Sequence, residues 1–267
     1  MLLHPVLVTL ALVAAEPAKS ESAKSDPPKT DPAKREGGVD WQGQVIKATG
    51  SGAPDMRSLS PAQARLGAEK AAQLDAFRNL IAQAKGIHIS SDKTVGDAMS
   101  KDEVKGRVDG VVKGFKVVKK RYYSDQGVEM DVEVPLSGIA QAVLEPTSAP
   151  AETVTAKATE GRYSGLLVDA RGLGVQPVLA PRILDGSGKV LYAADSMAPD
   201  TRKDAVPARY FKSLEQATHA PALGGTPLVI KAQKAHGSDL VLADADARAL
   251  DQLSSKALAE GRVAIVP

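Results

Sequence analysis

The chain has no cysteine at all, and it has few rings: one Trp, five Tyr and three Phe among 267 residues. The first absence removes disulfides, thiolate metal sites and cysteine nucleophiles together, and with them a lipid anchor on an N-terminal cysteine. The second means that any core is built from Ala, Val, Leu and Ile. Net charge is also missing, since 34 Lys and Arg stand against 32 Asp and Glu. No global field therefore points to nucleic acid or an anionic membrane as partner.

What is present begins with an apolar run over residues 6–15, ending in Val13, Ala14 and Ala15. The run is too short to anchor a chain across a bilayer and ends in the small residues a signal peptidase accepts, so residues 1–15 are expected to be a signal peptide cleaved after Ala15. Only His4 and the amino terminus supply positive charge ahead of it. The stretch that follows, "EPAKSESAKSDPPKTDPAKREGG", offers no apolar period to bury, and residues 16–38 read as a disordered Pro- and Lys-rich tether.

Residues 39–144 read as a first folded unit. A strand is expected around residues 41–48. A long helix then opens on a cap at Ser60, with Pro61 at the first helical position and Gln63 completing a capping box. Ala64, Gly67, Ala71, Leu74, Phe77 and Ile81, with Leu80 beside them, form the expected buried stripe, and Gly86 the expected left-handed end. Residues 108–123 read as a long extended segment bent at Gly110 and Gly114. "SDQG" turns it back into "VEMDVEV", where Val128, Met130, Val132 and Val134 alternate with acids. Lys116, Lys119, Lys120 and Arg121 are expected across from those acids, as a device that sets register.

The run "SLSPAQARLGAEKAAQLDAFRNLIAQAKGIHI", followed by "DEVKGRVDGVVKGFKVVKKRYYSDQGVEMDVEVPL", resembles the twenty-kilodalton bacterial membrane-associated lipoprotein family and the N-terminal domain of flagellar assembly protein T. The resemblance covers residues 39–144. It implies a small α+β domain in the periplasm or at the outer membrane, and it brings no catalytic residues with it. The chain departs from those lipoproteins in lacking the lipobox cysteine, so a soluble periplasmic or secreted form is expected, with peripheral association at the outer membrane as the other option.

Residues 145–161 read as a linker and residues 162–267 as a second unit. Gly172 and Gly174 follow an apolar strand, as in a phosphate-cradling loop, but they run into Val175, Gln176 and Pro177 and not into a helix start. They are therefore read as a turn in a three-stranded meander formed with "VLAPRILD" and "KVLYAA". Helices are expected over residues 204–217 and 245–259, the second capped by Asp244 and ended at Gly261, with "RVAIVP" as a central strand. The fold class expected is α+β, two small domains, each a mostly antiparallel sheet packed with one or two helices.

Candidate chemistry is sparse. Asp169, Asp239, Asp244 and Asp246 are the one set of carboxylates able to gather around a hard cation. His4, His88, His219 and His236 show no zinc spacing, and Ser60, Ser90, Ser91 and Ser164 sit in no nucleophile elbow. Arg171 and Arg182 bracket the glycine turn and offer a weak anion site. No catalytic, cofactor-binding or metal residue is assigned and no cofactor is expected. The favoured reading is a non-catalytic exported envelope protein, a binding or assembly module for an envelope protein or cell-wall component, with no nucleic-acid partner and no transmembrane anchor after signal cleavage. The competing class is a metal-dependent enzyme using the aspartates of the second unit.

Overall fold

A computed structural model describes residues 37–144 and 161–267. The expected signal peptide, nearly all of the tether and the linker lie outside those residues. β1 (Gly38–Asp40) begins where the tether was expected to end, and a turn at Trp41 to Gln44 leads to β2 (Val45–Gly52). Trp41 is thus a turn residue and not a strand residue. Asp40 closes the turn, accepting the Gly43 N–H at 2.8 Å and the Lys47 ammonium at 2.8 Å.

α1 (Pro61–Lys85) starts at the expected Ser60 cap, the Gln63 N–H donating to Ser60 Oγ at 3.2 Å, but among the described residues the Gln63 side chain does not return a bond to complete the capping box. Its buried face overlaps the expected one at Ala64 and Leu80, with Phe77 and Ile81 packed on the core, but is rotated away from Gly67, Ala71 and Leu74. Ala64, Ala68, Ala72, Ala76, Leu80 and Ala84 point inward, while Leu66 and Leu74 are about 60% exposed. The reason lies in β2, whose Gly50 and Gly52 let the helix backbone descend onto the strand: a Cβ on Gly52 would stand 1.9 Å from the Ala68 carbonyl oxygen. Only alanine fits between elements this close. Gly86 ends the helix at φ −75°, in the right-handed region and not the left-handed one.

The short pair β3 (His88–Ser90) and β4 (Lys93–Thr94) leads into α2 (Val95–Ala98) and α3 (Asp102–Lys113). α3 occupies much of the segment expected to be extended. Asp102 and Glu103 favour its positive N-terminal end, and Val104, Val108 and Val112 recur every four residues on its buried face. The strand is confined to β5 (Lys116–Tyr122), which pairs antiparallel with β6 (Val128–Pro135) in the expected hairpin. Val128, Met130, Val132 and Val134 are all buried, and Lys116 and Arg121 lie opposite Glu133 and Glu129. α4 (Leu136–Val143) follows, and the sheet runs β1-β2-β6-β5, antiparallel throughout.

The second region begins with β7 (Gly165–Asp169), β8 (Ile183–Leu184) and β9 (Val190–Tyr192). Next come α5 (Thr201–Asp204), β10 (Arg209–Tyr210) and α6 (Leu214–Thr218), where one helix was expected. Pro207, lacking an N–H, breaks the helical ladder there, and buried Ala208 and Tyr210 take the chain into a sheet. β11 (Pro227–Lys231), β12 (Lys234–His236) and β13 (Asp239–Val241) precede α7 (Asp244–Ala249), α8 (Ser255–Ala259) and β14 (Val263–Val266). The helix expected over residues 245–259 is split because Tyr163 captures the chain in its middle, donating to the Gln252 oxygen and accepting from Ser254 N–H. Ala243, not Asp244, holds the N-cap position of α7, and Gly261 turns the chain after α8 at φ +66°.

The α+β class stands, with a correction to strand direction. The sheet β10-β14-β7-β11 is parallel throughout, whereas a mostly antiparallel sheet was expected. Its strands are joined by crossovers carrying helices, which parallel pairing requires, and its central pair is buried on both faces. Leu166, Val168, Val263 and Ile265 face one apolar cluster, while Leu167, Ala264 and Val266 face another. β14 is the central strand expected. Of the meander only the β8–β9 hairpin forms: β7 belongs to the parallel sheet, and β8 and β9 pair antiparallel within a mixed sheet ordered β12-β13-β8-β9.

The two regions are interlocked. Leu179 and Ala180 donate backbone N–H groups to the His88 and Ile89 oxygens of β3, both at 2.9 Å, and Leu179 and Val206 complete the apolar core of the first region. Among the described residues no helix is long and apolar enough to cross a membrane.

Candidate functional site

The glycine turn after β7 is a turn in the backbone sense. Gly172 has φ +82° and Gly174 φ +68°, and the chain beyond them stays irregular to β8, so no helix N-terminus faces the loop. Arg171 folds back on the strand end, its Nε 2.8 Å from Asp169 Oδ1 and a terminal nitrogen 2.9 Å from Oδ2. That guanidinium, aided by the Arg171 N–H, holds the Asp169 carboxyl below the usual carboxylate range. The other flanking arginine, Arg182, is bidentate on Asp239, with Nε 3.0 Å from Oδ1. Both arginines proposed for an anion are thus engaged by carboxylates.

The same pairs disperse the aspartates. Asp239 is 8% exposed and committed to Arg182, Asp169 to Arg171, and Asp244 and Asp246 stand in the first turn of α7. Among the described residues no three His, Asp or Glu side chains converge as a metal would need. Ser60 caps α1 and Ser164 Oγ donates to the Leu223 oxygen while accepting the Thr226 N–H, both serving the backbone, and Ser90 Oγ donates to the Asp92 carboxylate at 2.9 Å. His88 and His236 lie on short strands, His219 Nδ1 meets the Glu215 oxygen at 2.9 Å, and His4 falls outside the described residues.

A concavity that no sequence pattern announced lies elsewhere. A cleft of about 1400 Å³ opens between the two regions, walled by α2, α3 and α4 on one side and by the segments around Ala180, Ala194 and Pro207 on the other. Its charged lining is unequal. Lys93, Lys101, Arg107, Arg182, Arg202 and Lys203 outnumber Asp97 and Asp195. Three of these cations already meet carboxylates, Arg182 on Asp239, Arg202 on Asp195 at 3.4 Å and Lys203 on Asp200 at 2.9 Å, while Arg107 Nε donates to the Ala142 oxygen at 3.0 Å. The arrangement offers an anion a positive surface with an apolar floor of Val104, Val111 and Val143. No spacing rule links residues drawn from positions 89 to 207, which is why no motif announced it.

A family model described as Treponema pallidum Tp0624, second domain, matches residues 165–267, from the first residue of β7 to the end of the chain. No curated protein matches the chain.

Proposed function

We propose that this chain is a non-catalytic, exported cell-envelope protein that binds or assembles with another envelope component, and that the cleft between its two regions receives an acidic segment of that partner. The observation that carries the reading is a concavity built from both regions whose lining holds more Lys and Arg than Asp, three of those cations being paired with carboxylates. Complementary charge of this kind guides encounter and selects partners. The sequence resemblance of residues 39–144 to envelope lipoproteins and to a flagellar assembly domain supports the location, as does the apolar segment ahead of a Pro- and Lys-rich stretch.

The test is made in intact cells. Mature protein is expected to begin near Glu16 and to leave the cytoplasmic fraction, and a photoreactive residue at the exposed cleft position Gln141 is expected to capture one defined envelope partner. Reversing Lys93 and Lys203 to Glu should abolish that adduct. Cytoplasmic protein with Met1 intact, or an adduct indifferent to both reversals, overturns the proposal.

A further inference from the structure

Arg209 is a half-buried cation that no anion answers among the described residues. Arg121, Arg171, Arg182, Arg202 and Arg262 each meet a carboxylate. Arg209, first residue of the edge strand β10, is half-buried and makes neither an ion pair nor a hydrogen bond among the described residues. Burial alone acts on it, pulling its pKa down with no carboxylate to pull it back. Taking a guanidinium out of water without a partner is costly, and folds normally avoid it.

Arg209 lines a second pocket, about 750 Å³, that shares no residue with the cleft. Gln42 enters from the turn between β1 and β2, Gln216 and His219 from α6 and its end, and Phe211, Ala220, Pro221 and Ala222 form the remaining wall. The two sides are held in register by the residues next door, because Trp41 precedes Gln42, Tyr210 follows Arg209, and their rings are in contact. His219 already uses Nδ1 on the Glu215 oxygen, which leaves Nε2 as its remaining polar atom.

We propose that this pocket binds a monocarboxylate carried by a small apolar body, the α-carboxylate end of a peptide with a small last residue, with Arg209 as the anchoring cation. The planar guanidinium matches a carboxylate bidentately. A single cation balances a single negative charge, whereas a phosphate monoester carries nearly two. The amides of Gln42 and Gln216 and the imidazole supply further polar contacts, and Phe211 with the Ala-Pro-Ala wall accommodates an alkyl side chain. The volume lies in the range of small-molecule sites.

Calorimetry on the purified chain tests this with four probes: acetyl-Ala-Ala, its C-terminal amide, acetyl-Glu-amide and inorganic phosphate. Saturable binding is expected for acetyl-Ala-Ala and at least ten-fold weaker binding for the other three. Tighter binding of acetyl-Glu-amide moves the source from a chain end to an acidic side chain and overturns the proposal as stated, and tighter binding of phosphate overturns the ligand class. Arg209→Gln is expected to weaken acetyl-Ala-Ala at least ten-fold while the thermal midpoint holds or rises, where a merely structural arginine would lower it. Gln216→Glu, which places a carboxylate on the exposed rim facing Arg209, is expected to raise the midpoint and block the probe without disturbing the core. Absence of acetyl-Ala-Ala binding to the parent protein, or binding that survives both substitutions, refutes the site. The Lys93 and Lys203 reversals should leave it intact, so its failure is separable from failure of the cleft.

Discussion

The ring of Trp41 meets that of Tyr210 edge to face, centroids 5.4 Å apart and planes at 74°, and so joins the first turn of one region to an edge strand of the other. The Tyr210 hydroxyl is anchored in turn by the Val178 N–H at 3.2 Å, and burial pushes that phenol's pKa up.

Aromatic pairs of this geometry contribute about 0.5–1.5 kcal/mol beyond their buried area. A double-mutant cycle of Trp41→Leu and Tyr210→Leu is expected to return a coupling of that size. Because Trp41 is the only tryptophan, its emission should report unfolding of both regions together and coincide with the loss of helical circular dichroism. Two separated transitions would mean the regions are not coupled through this contact.

The contact between α1 and β2 is the next prediction. A Cβ at Gly52 would lie 1.9 Å from the Ala68 oxygen and one at Gly50 2.2 Å from the Ala72 oxygen, and backbone cannot yield as a side-chain tip can. Gly52→Ala is expected to cost about 3 kcal/mol in chemical denaturation. Gly67→Ala, on the open face of the same helix with nothing within 4 Å, is expected to stabilise by about 0.5–1 kcal/mol. A reversed order of these two variants would mean the helix packs on another face.

Acid should unfold the protein in part through Asp131. Arg121 donates to Asp131 Oδ1 at 2.7 Å, Thr49 adds a second bond, and together they depress the carboxyl pKa. A depressed folded-state pKa means stabilisation that is complete above the unfolded value of about 3.9 and is lost as pH falls through the lower, folded value. Asp131→Asn is expected to cost about 1 kcal/mol at neutral pH, since the pair is partly solvated, and to flatten the stability curve below about pH 4. An acid limb identical to the parent's would show that Arg121 does not discriminate the charged form.

The glycine turn yields the fourth. Gly174 has φ +68° in open space, so Gly174→Val strains the backbone without a clash and is expected to destabilise by roughly 1–2 kcal/mol. ATP and NAD should shift neither the parent's melting temperature nor the variant's, because the loop faces no helix N-terminus. A nucleotide-dependent shift in the parent would contradict the turn.

Legibility followed the range of the signal. The β5–β6 hairpin, the Ser60 cap and the positive-φ glycines could be read locally, because alternation, capping and turn chemistry act within a few residues. The face of α1 was read in part: Ala64 and Leu80 are buried and Phe77 and Ile81 pack on the core, but Gly67, Ala71 and Leu74 face outward, because Gly50 and Gly52 bring the backbones so close that Ala68, Ala72 and Ala76 fill the contact. The second half of α3, from Val108, was read as extended with bends at Gly110 and Gly114, although Val104, Val108 and Val112 already carried the four-residue spacing. The aspartates were grouped by type, and it is Arg171 and Arg182 that claim two of them.

The sequence by itself determined the α+β class, the alanine-rich cores, the absence of thiol chemistry and the start of α1 at Ser60, since composition and short-range signals bear on these directly. Tertiary structure decided which strands became neighbours: β7 pairs with β11 and β14, Leu166 lying opposite both Leu228 and Val263 across long crossovers. It also decided where function is sought. Arg209 is an ordinary charged residue in the chain, and it becomes a proposed ligand anchor only because Gln42, His219 and Pro221 line the same pocket and no carboxylate pairs with it among the described residues. A partner brought from 167 positions away, or withheld, leaves no trace in local pattern, because side-chain contacts depend on distance in space and not along the chain.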